Sequence, residues 1–148
     1  MQWTNTETLK RRGSNYEDVD IMSKKTILVI GTYDTKDEEL NYICNCIAAQ
    51  GGAVLSMDVS VLGDPSAPTD ISKHQVAEAG GSTIQLAIKS GDENSAMQIM
   101  ARGAVILTSQ LHASGKIDAM LALGGTMGTD LALDLSLIHI SEPTRRSA

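Results

Sequence analysis

Residues 25–31 read KTILVIG, residues 35–52 read TKDEELNYICNCIAAQGG, and residues 53–59 read AVLSMDV. The first is an unbroken apolar run ending in Gly, as in a strand buried on both faces. In the second, Leu40, Ile43, Cys44 and Ile47 fall at i, i+3, i+4 and i+7, which is one apolar helix face. The Thr35-x-x-Glu38 spacing predicts a capping box, acidic residues fill the first turn, and Gly51-Gly52 predicts the stop. The third run predicts a second strand. A strand, a helix and a strand joined by short turns form a βαβ unit, whose strands are parallel.

Outward from this unit the alternation continues. Residues 60–72, SVLGDPSAPTDIS, are rich in Gly, Pro, Asp and Ser and too long for a routine connection. A short helix is expected from about Ser72, its cap, to Ala79. A long helix is expected from Glu93 to about Ser114, with Met97, Met100, Ala101, Ala104 and Leu111 near one face. Gly103 should weaken it by about 1 kcal/mol relative to Ala. Residues 117–123, IDAMLAL, predict a third buried strand, followed by GGTMGT at 124–129 and the start of another helix at 130–133. The order β-α-β-loop-α-α-β-α describes an open parallel α/β sheet flanked by helices, cut short at its C-terminal side.

Composition narrows the function classes. The chain has 148 residues, 12 Lys and Arg against 18 Asp and Glu, a net charge of −6, and 42% apolar residues. That suits one globular domain or part of a larger protein. The acidic balance argues against general nucleic-acid or anionic-membrane binding, and with no Phe and one Trp a base-stacking platform is not expected. No apolar run approaches the roughly 20 residues of a membrane helix. Cys44 and Cys46, two apart on a helix, do not face each other. They read as partly buried thiols of a cytoplasmic protein. His74 and His112 have no partner at metal-ligand spacing, Arg102 reads as a solvated helix residue, and no nucleophile elbow surrounds any Ser.

The two ends read differently from the middle. Residues 1–23 lack periodicity and are expected to be a leader or a mis-called start, with Met22 as an alternative first residue. Residues 135–148, LSLIHISEPTRRSA, resemble translated sequencing-adaptor DNA and are expected to be non-native. Residues 24–134 are then an incomplete α/β domain, with a β-strand and polar tail as the other reading of the terminus.

Two strand ends carry the chemistry. Gly31, Thr32, Tyr33, Asp34, Thr35 and Lys36 follow the first strand. Gly124, Gly125, Thr126, Met127, Gly128 and Thr129 follow the third. Ligands of open α/β sheets bind beyond the carboxyl ends of the strands. There, free amides at a helix start and glycines without Cβ can meet a phosphate. The threonines add hydroxyls, Lys36 adds a cation, and Asp34 could hold a ribose hydroxyl or a magnesium ion. Asp58, ending the second strand, could contact a ribose by analogy with Rossmann folds. The competing readings are tight turns for the glycines, helix capping for Asp34 and Thr35, and a turn role for Asp58. The spacing is neither G-x-G-x-x-G nor a P-loop.

Four blocks carry a resemblance: KTILVIGTYDTKDEEL (25–40), MDVSVLGDP (57–65), MARGA (100–104) and IDAMLALGGTMGT (117–129). On these the chain resembles the Tm-1-like ATP-binding domain family. The resemblance implies a Rossmann-like N-terminal domain followed by a second α/β domain. It also implies ATP binding carried by Gly31, Thr32, Asp34, Thr35 and Lys36 and by Gly124, Gly125, Thr126, Gly128 and Thr129. Thr126 stands where that family commonly has Ser, and Met127 is a bulky neighbour for a phosphate loop. The expected function is nucleotide binding, ATP first, with the rest of the chain or a second copy as partners. The alternatives are a non-catalytic interaction module with a nucleotide-dependent conformation, and an enzyme for a phosphorylated small metabolite. Whether the chain is an enzyme stays open.

Overall fold

The computed structural model describes residues 24–124. Three strands, β1 (Thr26–Gly31), β2 (Ala53–Asp58) and β3 (Ala119–Leu123), form a parallel sheet in the order β2-β1-β3. Four helices connect them: α1 (Asp37–Ala49), α2 (Lys73–Ala79), α3 (Ile84–Lys89) and α4 (Glu93–Ala113). The α/β class expected from the alternation is the observed one. Gly31 lies beside Asp58 on one side and Leu123 on the other, so the three carboxyl ends are level.

The period-2 rule explains the two faces. Leu28 and Ile30 point to one side, where Met57, Val76, Ala77, Met100 and Ala104 complete a core under α2 and α4. Val29 points to the other, against Leu40 and Tyr33, with Ile43, Cys44 and Ile47 of α1 packed around them. Leu40 is fully buried, worth roughly 2 kcal/mol of transfer free energy. Crossovers of one hand that step in opposite directions must place their helices on opposite faces. The step from β1 to β2 puts α1 on one face, and the return past β1 to β3 puts α2 and α4 on the other.

Three local expectations are corrected. The Thr35–Glu38 capping box does not form: α1 begins at Asp37, its N-cap is Lys36, and no side chain caps it. The preceding turn is closed instead by the Thr32 carbonyl, which accepts from the amides of Thr35 (3.1 Å) and Lys36 (2.9 Å). Tyr33 is drawn into the core of the α1 face, which fixes this turn and moves the helix start past Thr35. The second correction is α3, an unexpected helix capped by Thr83, whose hydroxyl accepts from the Leu86 amide at 3.1 Å. The third concerns the thiols: Cys44 is half-buried, but Cys46 is exposed.

The reading of α2 holds, with Ser72 and Gln75 forming a reciprocal capping box. Gly103 of α4 has a packing reason. A Cβ there would overlap the Val76 carbonyl oxygen, and one at Gly80 would overlap that of Ile99. Two glycines thus let α2 and α4 cross backbone to backbone. Arg102 is exposed on α4, as expected, and its guanidinium donates to the Gly80 carbonyl at 3.3 Å.

The long 60–72 connection is fastened at both ends. Lys73 Nζ donates to the Gly63 carbonyl at 2.6 Å and pairs with Asp64 at 2.8 Å. Asp70 accepts from the amide (2.8 Å) and hydroxyl (3.1 Å) of Ser56.

Candidate functional site

The sheet order makes β1 the point where the chain reverses direction across the sheet, with β2 on one side and β3 on the other. At such a switch point the connections leave to opposite faces and open a crevice at the carboxyl edge. A cleft of about 440 Å³ lies there, a size typical of small-molecule sites. Thr32, Asp34 and Thr35 of the turn after β1 line it. Ser60, Val61 and Leu62 after β2 line it as well, as do Ala87 and Ile88 of α3, Gly91 and Asp92 of the connection to α4, and Glu93 and Ala96 of α4.

The anticipated residues divide into three groups. Thr32, Asp34 and Thr35 are in the cleft, and the two threonine hydroxyls lie 3.3 Å apart. Lys36 adjoins them as the N-cap of α1, in a half-exposed ion pair with Glu39 at 3.6 Å. No side chain caps α1, and its first intrahelical bond runs from the Leu40 N–H to the Lys36 carbonyl. The amides of residues 37–39 are the donors that helix geometry leaves without an intrahelical partner.

Gly31 and Asp58 serve the architecture beneath the cleft. A Cβ at Gly31 would lie 2.6 Å from Leu40 Cδ1 and 2.8 Å from the Leu123 carbonyl oxygen, so this glycine lets α1 and β3 close on the end of β1. Asp58 is 1% exposed. Its Oδ1 accepts from the Tyr33 amide (3.2 Å), the Ser60 amide (2.9 Å) and the Ser60 hydroxyl (2.6 Å). These bonds give Asp58 the turn role that competed with the ribose contact, because the carboxylate ties two loops together from below. Gly124 follows β3, directly beside the Gly31–Leu123 pair. Gly125, Thr126, Gly128 and Thr129 lie outside the described residues.

Asp34 works in both directions. It lines the cleft, and its Oδ2 accepts from the Gly63 amide at 3.2 Å, which binds the β2 loop to the β1 turn. The contribution of Ala87 and Ile88 to the lining is not legible in the sequence because α3 is not. The signal was the Thr83 hydroxyl ahead of IQLAIK, a cap followed by a short apolar helix.

The nearby titrating groups set limits on chemistry. Burial pushes the Tyr33 hydroxyl above its ordinary range, with the Cys44 thiol adding to the effect, and this hydroxyl donates to the Val29 carbonyl at 3.1 Å. Burial likewise raises the Cys44 thiol. Both are neutral packing groups at pH 7, not an activated pair. The Asp64 carboxyl is lowered by its bond to Lys73. Among the described residues, no group of three or more His, Cys, Asp or Glu is placed to hold a metal ion, and no helix is long and apolar enough to cross a membrane.

Comparison with known proteins adds the following. Residues 25–137 match the N-terminal domain of an uncharacterised protein family, UPF0261. A UPF0261 protein of Brucella suis is 53% identical over 112 residues, covering 76% of this chain and 27% of the relative. Another from Clostridium tetani is 37% identical over 111 residues, covering 75% of this chain and 27% of the relative. The chain thus spans about a quarter of the length of these curated relatives. No solved structure shows a significant match. These findings overturn the resemblance to the Tm-1-like ATP-binding family. The four blocks fall within the UPF0261 match, and the relatives found bear that family's name, so the resemblance lends no support to ATP binding.

Proposed function

The chain belongs to the UPF0261 family, and from that premise we propose that its N-terminal domain binds a mononucleotide in the cleft at the carboxyl edge of the sheet. The observation that carries the reading is the turn after β1. It lines a cleft of about 440 Å³ with two threonine hydroxyls and Asp34, and it leads directly into the start of a 13-residue helix that no side chain caps. Backbone amides and threonine hydroxyls suit phosphate oxygens. Gly124 follows β3 at the same edge of the sheet.

ATP is the first ligand to test. Asp34 is the residue that would hold an accompanying magnesium ion, which keeps water and phosphate among its ligands and needs only one or two carboxylates. The described lining contains no His, Cys or Lys. Its carboxylates are Asp34, Asp92 and Glu93, and the two roles proposed for the site are a nucleotide-dependent interaction module and an enzyme acting on a phosphorylated small metabolite. The remainder of a full-length relative, or a second copy of the chain, is the partner proposed to complete the site. The free thiols Cys44 and Cys46 support a cytoplasmic setting.

The test is calorimetric titration of the full chain with ATP and magnesium, with AMP and with sugar phosphates, on the wild type and on Thr32→Val and Thr35→Val. Binding of a nucleotide that each variant weakens by about tenfold, the loss of one charge-assisted hydrogen bond, supports the reading. Tight binding of sugar phosphates alone would instead favour an enzyme of phosphorylated metabolites. No binding of any phosphate compound rejects both.

A further inference from the structure

We infer that Lys73, which does not line the cleft, is a positioning residue for it: by holding Gly63 it sets the carboxylate of Asp34 for the ligand. The inference rests on the nucleotide reading above. Lys73 stands where two physical effects oppose it. It is the first residue of α2, where the helix dipole disfavours a cation. It is also only 7% exposed, although an ammonium group leaves water at a cost unless it is paired. The ion pair offsets little of this, because the Asp64 side chain is 84% exposed and water screens the attraction. The other partner is the Gly63 carbonyl, which accepts from Nζ at 2.6 Å. A charge-assisted bond to the backbone holds a loop more firmly than a neutral one.

Gly63 passes this constraint on to the cleft. Its carbonyl accepts from Lys73, while its amide donates to Asp34 Oδ2 at 3.2 Å. The approach is close, since a Cβ at Gly63 would lie 3.0 Å from both Cβ and Oδ2 of Asp34. The bond engages Oδ2, so Oδ1 is the oxygen left for a ligand. These contacts cross the carboxyl edge of the sheet. Val76 and Ala77 of α2 pack into the core of one face, and the turn that carries Asp34 leads to α1 on the other. Lys73 has a second route to the cleft. Val61 and Leu62 line it and lie between the Asp58–Ser60 bonds and Gly63, so they too depend on where Gly63 is held. The two routes separate in a double-variant cycle.

Calorimetry of the full chain with ATP and magnesium tests this on the wild type, Asp34→Asn, Lys73→Met and Gly63→Ala, the last two also combined with Asp34→Asn. Methionine replaces the buried lysine stem with an adaptable apolar chain, and circular dichroism checks the fold. Gly63→Ala leaves Lys73 in place and crowds the Asp34 carboxylate directly, so it decides the matter if Lys73→Met does not fold. Each single variant is expected to weaken binding about tenfold, the loss of one charge-assisted hydrogen bond. In the Asp34→Asn background neither of the other changes should weaken it further, as expected of groups that act through one contact. Losses that multiply in the combined variants assign Lys73 to the Val61–Leu62 route and overturn the inference. Wild-type affinity in any folded single variant overturns it as well, and in both cases the nucleotide reading stands. A wild-type chain that binds no nucleotide rejects the function proposed above, and amide exchange by NMR then decides the positioning. A Gly63 amide that exchanges about tenfold faster in Lys73→Met, with the β1 amides unchanged, supports it; an unchanged Gly63 amide overturns it.

Discussion

Asp58 is a carboxylate that almost no water touches, and its Oδ1 is the shared acceptor for three donors from two loops. Asp58→Ala strands the Tyr33 and Ser60 donors beneath the cleft, and a loss of about 3 kcal/mol in urea unfolding is expected, since each stranded buried group costs roughly 1–3 kcal/mol. Asp58→Asn keeps an oxygen in the same place and should cost about 1 kcal/mol. Equal losses for the two would show that the acceptor geometry does not matter. A second residue-scale expectation concerns Asp64. Its carboxyl is held below the usual range by the bond to Lys73. The folded value is depressed, so its contribution is present above the ordinary carboxylate pKa and fades as pH falls through the folded one. Unfolding midpoints of the wild type and Asp64→Asn should differ at neutral pH and converge on acidification. A gap that stays constant with pH would assign the loss to packing. The end position of Asp58 on β2 was legible in the sequence, but its burial was not, because a polar residue after an apolar run reads equally as a ligand contact or a turn.

At the scale of elements, the α2–α4 crossing opposes local propensity to tertiary packing. Gly→Ala inside a helix normally gains about 1 kcal/mol. At Gly103 the added methyl would overlap the Val76 carbonyl oxygen, backbone that cannot swing aside. Gly103→Ala should therefore destabilise the domain by about 2 kcal/mol, in the range of core overpacking, and any gain in thermal stability would rule out the close crossing. The sequence reading saw Gly103 only as a weak point, because its reason lies in Gly80 and Val76, more than twenty residues away. The strands and α1, α2 and α4 were legible because each repeats its period over several turns or caps itself with local residues. The six-residue α3 is too short to show a period. The capping box at Thr35 failed because the burial of Tyr33, a long-range demand, outweighed a local cap.

For the whole molecule, a switch-point crevice at the end of β1 is implied by the order of elements, whereas the part of its lining supplied by Ala87 and Ile88 depends on α3, which the sequence concealed. The same order leaves β3 at the margin. Among the described residues β3 pairs with β1 alone, and its burial alternates between exposed and half-buried, with Leu121 39% exposed. Leu121 faces the same side as Val29, its register partner, which α1 covers. An apolar strand with an open edge and an open face is a template for pairing. The chain spans about a quarter of its curated relatives, so the covering surface is proposed to come from the remainder of such a protein or from a second copy. For the 148-residue chain on its own, sedimentation should show association that grows with concentration. Leu121→Lys should shift the population toward monomer with little change in the urea midpoint, because the residue contributes little to the core. A wild-type chain that stays monomeric at every concentration would mean that this face is already satisfied within one chain, and the proposed second copy would then fall away.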